Sequence, residues 1–219
     1  MKIAASKIFF LLLLIPFLFN YQSVSAQNFN GGFFGGLDAS EVSGDNLSGP
    51  NKLGFNVGVY TNYNLNSHAA IELEIMYAQK GSKRNPTEFS TYKYLFQLDY
   101  VEVPFLYKFS FAALDPVKYL GKIKYEAGLS YSRLMRSKEE VNDRLILTGE
   151  MPNFYYNETN LILGFYYPIS EKLDFNFRSS NSLTPIRPHK GGAHVWYNWG
   201  QYHTLWCLNL NYKFGSKKS

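Results

Sequence analysis

The chain has a single cysteine, Cys207, so no disulfide can form within it and its fold must be held by other means. A strong charge excess is also missing. The 22 Lys and Arg stand against 17 Asp and Glu, and without Lys2 and Lys7 near the start the balance is 20 against 17, about +3. That is too even for a nucleic-acid-binding face, so no nucleic acid is expected as a partner. Beyond residue 26 no segment approaches the ~20 consecutive apolar residues of a spanning helix. A long helix, a linker, an internal repeat and a low-complexity tract are likewise missing. The glycine-rich stretch NFNGGFFGGLDAS (28–40) has neither the spacing of a dinucleotide fingerprint nor a Gly-Lys-Ser/Thr ending, which excludes a phosphate-cradling loop.

The start of the chain carries an export pattern: Lys2 and Lys7, then the apolar run IFFLLLLIPFLF (8–19), then Val24-Ser25-Ala26 as a small-residue cleavage site. The expected division is a signal peptide over 1–26 and one domain over 27–219. With 18 Tyr and 18 Phe and no helix able to span, a membrane-embedded product must cross with strands.

Period-two alternation runs through the rest. KLGFNVGVYTNYNL (52–65) sets Leu53, Phe55, Val57 and Val59 against Lys52, Gly54, Asn56 and Gly58, and AAIELEIMYAQK (69–80) sets Ile71, Leu73 and Ile75 against Glu72 and Glu74. YVEVPFLYKF (100–109), KIKYEAGLSYS (122–132), ETNLILGFYYPI (158–169), KLDFNFRSS (172–180) and YHTLWCLNLNYKF (202–214) continue the series. With the opening stretch this makes eight strands. Longer polar links, near 40–51, 81–94, 134–153 and 181–200, alternate with shorter ones, so long loops gather at one end. The fold predicted is all-β: an eight-stranded antiparallel up-and-down transmembrane β-barrel of the cell outer membrane.

Alternation alone leaves the orientation of the faces open. One face carries the mixed charges Glu72, Glu74, Glu102, Lys108, Lys122, Lys124, Glu126, Asp174 and Arg178, which a narrow lumen can pair into a polar plug. The other is rich in aromatics near strand ends, as two interfacial girdles require. A soluble, lipocalin-like binding barrel is the alternative in which the faces are reversed.

Several segments, taken together and in order, resemble the PorT-type outer-membrane β-barrel family of Bacteroidetes. They are Ala26-Gln27 at the end of the leader, SGDNLSGPNKLGFNVGVY (43–60), LDYVEVPFLYKF (98–109), YEAGLSYSRLM (125–135) and LNLNYKF (208–214). Val101-Glu102-Val103-Pro104 is similar to the family's Leu-Glu-Ile-Pro pattern. The final strand departs from an assembly signal that ends on an aromatic, because GSKKS follows Phe214. The resemblance implies a small barrel with no reaction and no cofactor. It also implies, as an alternative role, an accessory part in type IX secretion and gliding.

Catalysis would need a His beside a Ser nucleophile at the outer rim. His68 follows Ser67 in an expected periplasmic turn, and His203 precedes Thr204, so no catalytic residue is assigned. His189 and His194 share the last loop without a cysteine or nearby carboxylate to complete a metal set. Lys83, Arg84, Arg133, Arg136, Arg187 and Lys190 lie in or beside the outward loops, where lipopolysaccharide phosphates would be neighbours. Trp196, Tyr197, Trp199 and Tyr202 form a candidate loop contact surface for a protein or glycan partner. The remaining expected partners are outer-membrane lipid and, during biogenesis, the assembly machinery.

Overall fold

The computed structural model describes residues 29–45, 49–86, 88, 91–146, 151–189 and 199–214; the expected signal peptide lies outside them. Among the described residues nine strands follow one another: β1 (Phe29–Ser43), β2 (Lys52–Asn64), β3 (Ala69–Arg84), β4 (Tyr94–Phe109), β5 (Lys124–Val141), β6 (Arg144–Leu145), β7 (Asn157–Pro168), β8 (Leu173–Ser182) and β9 (Tyr202–Phe214). Each barrel strand pairs antiparallel with its chain neighbour, and β1 pairs with β9 from Gly31↔Phe214 to Ser43↔Tyr202, which closes the ring. β6 is a two-residue return against the tip of β5, so eight strands make the barrel. None of the described helices is long and apolar enough to cross a membrane, which says nothing of crossing by strands.

The closed register settles the orientation of the faces. Phe55, Leu73, Tyr107, Val59 and Leu210 are exposed on the outside, whereas Glu72, Glu74, Glu102, Glu126 and Arg178 are buried inside. A water-soluble barrel would reverse this, so the lipocalin-like alternative fails: the exterior suits hydrocarbon and the interior is polar. Aromatic pairs mark the rim nearest the chain start, with Phe29 4.9 Å from Tyr63 and Phe33 5.2 Å from Tyr212 between ring centroids. Of the four glycines of the opening stretch, Gly32 and Gly36 face a crowded lumen, whereas Gly31 and Gly35 lie on the outer face with Phe33 and Leu37. A side chain at Gly36 would collide with Asn209 Oδ1 and the Leu208 carbonyl, at 2.1 and 2.2 Å from its Cβ.

Three strands run taller than the sequence suggests. β3 extends to Arg84, β4 begins at Tyr94 and β5 reaches Val141. Along this upper part the chemistry inverts: Tyr94, Phe96, Leu98 and Tyr100 point inward, while Gln97 donates to Asp99 (3.0 Å) on the other face. Inside the membrane the lipid takes the apolar face. Above it water takes the polar one, so the same strand switches sides in character without changing its pleat. A register shift at Asp99/Tyr100 marks the changeover.

Pro104 leaves its own mark. The β3–β4 ladder passes from Leu73↔Phe105 to Met76↔Glu102, skipping the positions opposite Val103 and Pro104. A proline has no N–H to contribute, so the ladder opens there.

The link between β4 and β5, residues 110–123, corrects the simple alternation of loop lengths. It exceeds the 44–51 link at the opposite end, and it coils through two 3₁₀ turns, Ala112–Leu114 and Leu120–Lys122. Its hydrogen bonds, such as Gly121 N–H to the Val117 carbonyl (3.0 Å), fold the segment on itself so that it adds length without reach. Lys122, expected among the lumen groups, sits exposed in the second turn. Period-two facing begins only at Lys124, where the strand begins.

Ile75, on the lipid face beside Val59 and 55% exposed, tests the orientation. Ile75→Arg should cost about 2–4 kcal/mol. Urea unfolding in phospholipid vesicles, followed by tryptophan fluorescence, measures the loss.

Candidate functional site

The strongest concentration of chemistry is inside the barrel, where period-two placement puts charged side chains from six strands in contact. Arg178 of β8 is the hub of the lower set. Its Nη1 and Nη2 donate to both oxygens of Glu74 (2.8 and 2.7 Å), and its Nε and Nη2 donate to Glu126 (2.9 and 3.0 Å). Lys108 pairs with Glu72 at 2.6 Å and lies 3.7 Å from the centroid of the Tyr166 ring. Tyr166 Oη bridges the two pairs, accepting from Arg178 (3.2 Å) and donating to Glu72 (3.3 Å). One oxygen each of Glu72, Glu74 and Glu126 falls within 4.8 Å of the others, and the cations among them are the chain's own Arg178 and Lys108.

An amide chain leads upward from this set. Asn176 donates to Glu126 (3.0 Å), Asn209 to Asn176 (3.0 Å), and Asn56 to both Asn209 (2.8 Å) and Asp38 (2.6 Å). Above it lies a second ionic group. Lys80 Nζ is 2.8 Å from Glu102 and 3.5 Å from Glu158, and Glu158 meets His203 Nδ1 at 3.1 Å. Ser130 donates to Glu102 (2.5 Å), and Asn160 donates to Ser130 and Ser132 (3.1 and 3.0 Å). Glu158, Lys80 and His203 are buried lumen groups beyond the set that the charge pattern of the sequence singles out. Lys80 and His203 occupy the polar phase of their strands, and Glu158 shares the phase of Asn160, so the alternation held the signal.

A hydrophobic cap of Val42, Tyr94, Phe96, Leu98, Tyr100, Leu134 and Ile186 closes the lumen at the long-loop end. Arg187, expected among cations facing lipopolysaccharide, belongs to this cap instead. It is buried between Phe96 and Phe154, with its Cζ 5.2 and 4.4 Å from their ring centroids, and it donates to Glu139 (2.9 Å), Gln201 (2.7 Å) and Tyr94 (2.8 Å). Tyr94 also hydrogen-bonds Glu139. The isolated bridge Arg187↔Gln201 holds these two residues at the barrel mouth, which turns a loop cation inward.

The other expected lumen residues sit at the opposite mouth. Asp174 pairs with Lys213 (2.7 Å), and Lys124 is exposed there. Of the loop contact surface, Trp199 is 64% exposed and Tyr202 is half-buried, with the Trp199 N–H directed at its Oη (3.4 Å). Trp196, Tyr197, His194 and Lys190 lie outside the described residues. Arg133 and Arg136 are exposed near the long-loop end; Arg133 donates to Asn157 (2.7 Å) and lies 5.0 Å over the Tyr156 ring.

As chemistry, the described lumen is a set of largely paired charges in which Asp38 Oδ2 and His203 Nε2 are left without a hydrogen-bond partner. It can hold strands together and obstruct passage.

A family model described as outer membrane protein beta-barrel domain matches residues 20–187. Among solved structures, Neisserial surface protein A is 12% identical, with a TM-score of 0.52, over 85% of this chain and 97% of that one. Ail, the attachment invasion locus protein of Yersinia pestis, is 14% identical, with a TM-score of 0.45, over 84% of this chain and 98% of that one. At such identities the likeness extends to the fold alone. No curated protein matches the chain.

Removing one partner of a buried ionic set strands the other, which costs more than replacing the whole set by neutral groups. Arg178→Met should therefore lose roughly 3–5 kcal/mol. The triple variant Glu74→Gln, Glu126→Gln, Arg178→Met should recover much of it. The urea midpoints of the two variants in vesicles decide between them.

Proposed function

The chain belongs to the outer-membrane β-barrel domain family, and from that footing we propose a closed, plugged barrel that acts as a structural or interaction protein through its extracellular loops. One observation carries this reading. Beyond its inner mouth the lumen is filled, first by the Arg178 and Lys80 ionic groups and then by the apolar cap, so nothing is passed through and the ends do the work. Residues 1–26 serve as the export signal, and 27–219 as the barrel.

At the outer end, Arg133 and Arg136 stand where lipopolysaccharide phosphates lie, and Trp199 with its neighbours in the last loop offers rings to a protein or glycan. The barrel carries no reaction and no cofactor of its own. Bacterial assembly machinery is the partner during insertion, when β1 and β9 must meet.

The order of the segments around Val101-Glu102-Val103-Pro104 supports placement in the PorT-type branch and, with it, a second reading as an accessory of type IX secretion. Deleting the gene separates the two: a block in secretion favours the accessory role, whereas intact secretion with altered surface contacts favours the first.

In planar bilayers the purified protein should give no stable unitary conductance. Large, long-lived channels would refute the plug. Crosslinking in intact cells, read by mass spectrometry, should place contacts on the long loops; crosslinks confined to the short turns would count against an outward-facing role.

A further inference from the structure

The two mouths of the barrel are built differently, and the inner one holds a cavity. At the short-turn end, which faces the periplasm in barrels of this kind, about 240 Å³ of space lies between β2, β3, β4, β5, β7, β8 and β9. Its cationic lining is Lys108, Lys124 and Lys213, and the acid among the lining residues is Asp174. Asn62, Asn64 and Asn66 line one wall, and Tyr166 with Lys108 forms the inner boundary.

The three lysines are not equivalent. Lys108 is held by Glu72 and the Tyr166 ring, and Lys213 by Asp174. Lys124 makes no hydrogen bond or ion pair among the described residues, although it stands in the same cavity. Glu72, Glu74 and Glu126 are fully buried behind this layer, and none of them lines the cavity. A solute entering the mouth therefore meets two lysines held in direct ion pairs, one ammonium group, that of Lys124, which has Asp174 nearby but no direct ion pair, and a wall of amides. The space is open at the mouth and has room for a small anion with part of its hydration shell.

We propose that this vestibule binds a small anion bearing a phosphate or carboxylate group, taken from the periplasmic side, with Lys124 as its principal counter-charge. The amide groups of Asn64 and Asn66 are placed to donate to its oxygens. The apolar cap at the far end and the ionic plug between make the vestibule a dead end, so occupancy is binding and not transit. The proposal goes beyond the interaction role of the outer loops and depends on that role in no step.

The test uses the full chain refolded in an uncharged, phosphate-free maltoside, with inorganic phosphate and acetate as probes and amide NMR shifts as the readout. Amides of Asn64, Asn66 and Lys124 should shift saturably, with half-saturation at about 1 mM, and added salt should weaken the response. Lys124→Gln should weaken it about tenfold, because the one lining ammonium group without a direct ion pair is lost. Lys118→Gln, on the same rim but outside the cavity lining, should leave it unchanged. Lys213→Gln gives an independent variant should Lys124→Gln fail to form a heat-modifiable barrel. In phosphatidylcholine nanodiscs, an undiminished phosphate response assigns the site to soluble anions, whereas amides already at their phosphate-bound positions assign it to lipid headgroups. A response that fails to saturate at about 50 mM, or equal weakening by Lys118→Gln and Lys124→Gln, would overturn the proposal.

Discussion

Hydrocarbon offers no hydrogen bonds, and this governs the rest of the structure. Every N–H and C=O of a sheet placed there must find a partner within the sheet, so the first and last strands must meet. The β1–β9 ladder from Gly31↔Phe214 to Ser43↔Tyr202 is that meeting. Closure then dictates the side chains. With eight strands the interior is only wide enough for side chains, and the pleat sends every second residue into it. Those residues cannot all be apolar without forfeiting the contrast that tells the chain which face is out. Polar groups inside must in turn pair, because the same closure keeps them from water.

The ionic groups answer that requirement in tiers. Arg178 serves two carboxylates with a planar fork, a task for which lysine's single ammonium is poorly shaped. Lys108 and Lys80, by contrast, each sit over or beside a tyrosine ring, at 3.7 and 5.1 Å from its centroid, which gives a compact charge a second neighbour. Between the tiers the asparagines carry no charge, and their amides both donate and accept. They connect Glu126 to Asp38 without adding to the charge that must be compensated.

Most of this architecture could be read from residue order. Eight alternating runs and the shared phases of Glu72, Glu74 and Arg178 follow from period two, which depends on the backbone alone, whereas the outward direction of the aromatic face comes from the closed register. The readings that failed share a physical cause: they lie where that period stops or where the surrounding medium changes. Lys122 precedes the strand and belongs to a 3₁₀ turn. Arg187 sits in a loop, and only the bridge to Gln201 folds it inward, a tertiary contact that no local pattern encodes. The inward row Tyr94, Phe96, Leu98 and Tyr100 lies where β4 has left the membrane and water rather than lipid sets which face is apolar, a change of medium that no residue pattern marks.

That inversion also explains why the barrel is asymmetric. Where β3, β4 and β5 rise above the lipid, they enter water, and a sheet in water must bury its apolar side. The only enclosed space available is the barrel's own mouth, so the cap of Phe96, Leu98 and Ile186 follows from strand height as directly as the lipid-facing band follows from closure. At the other end the strands stop near the membrane surface and there is no wall to carry such a cap. The mouth there stays hydrated and lined by Lys108, Lys124 and Lys213. A single rule, that apolar groups avoid water while backbone groups must pair, thus gives one end a dry seal and the other a wet, cationic hollow.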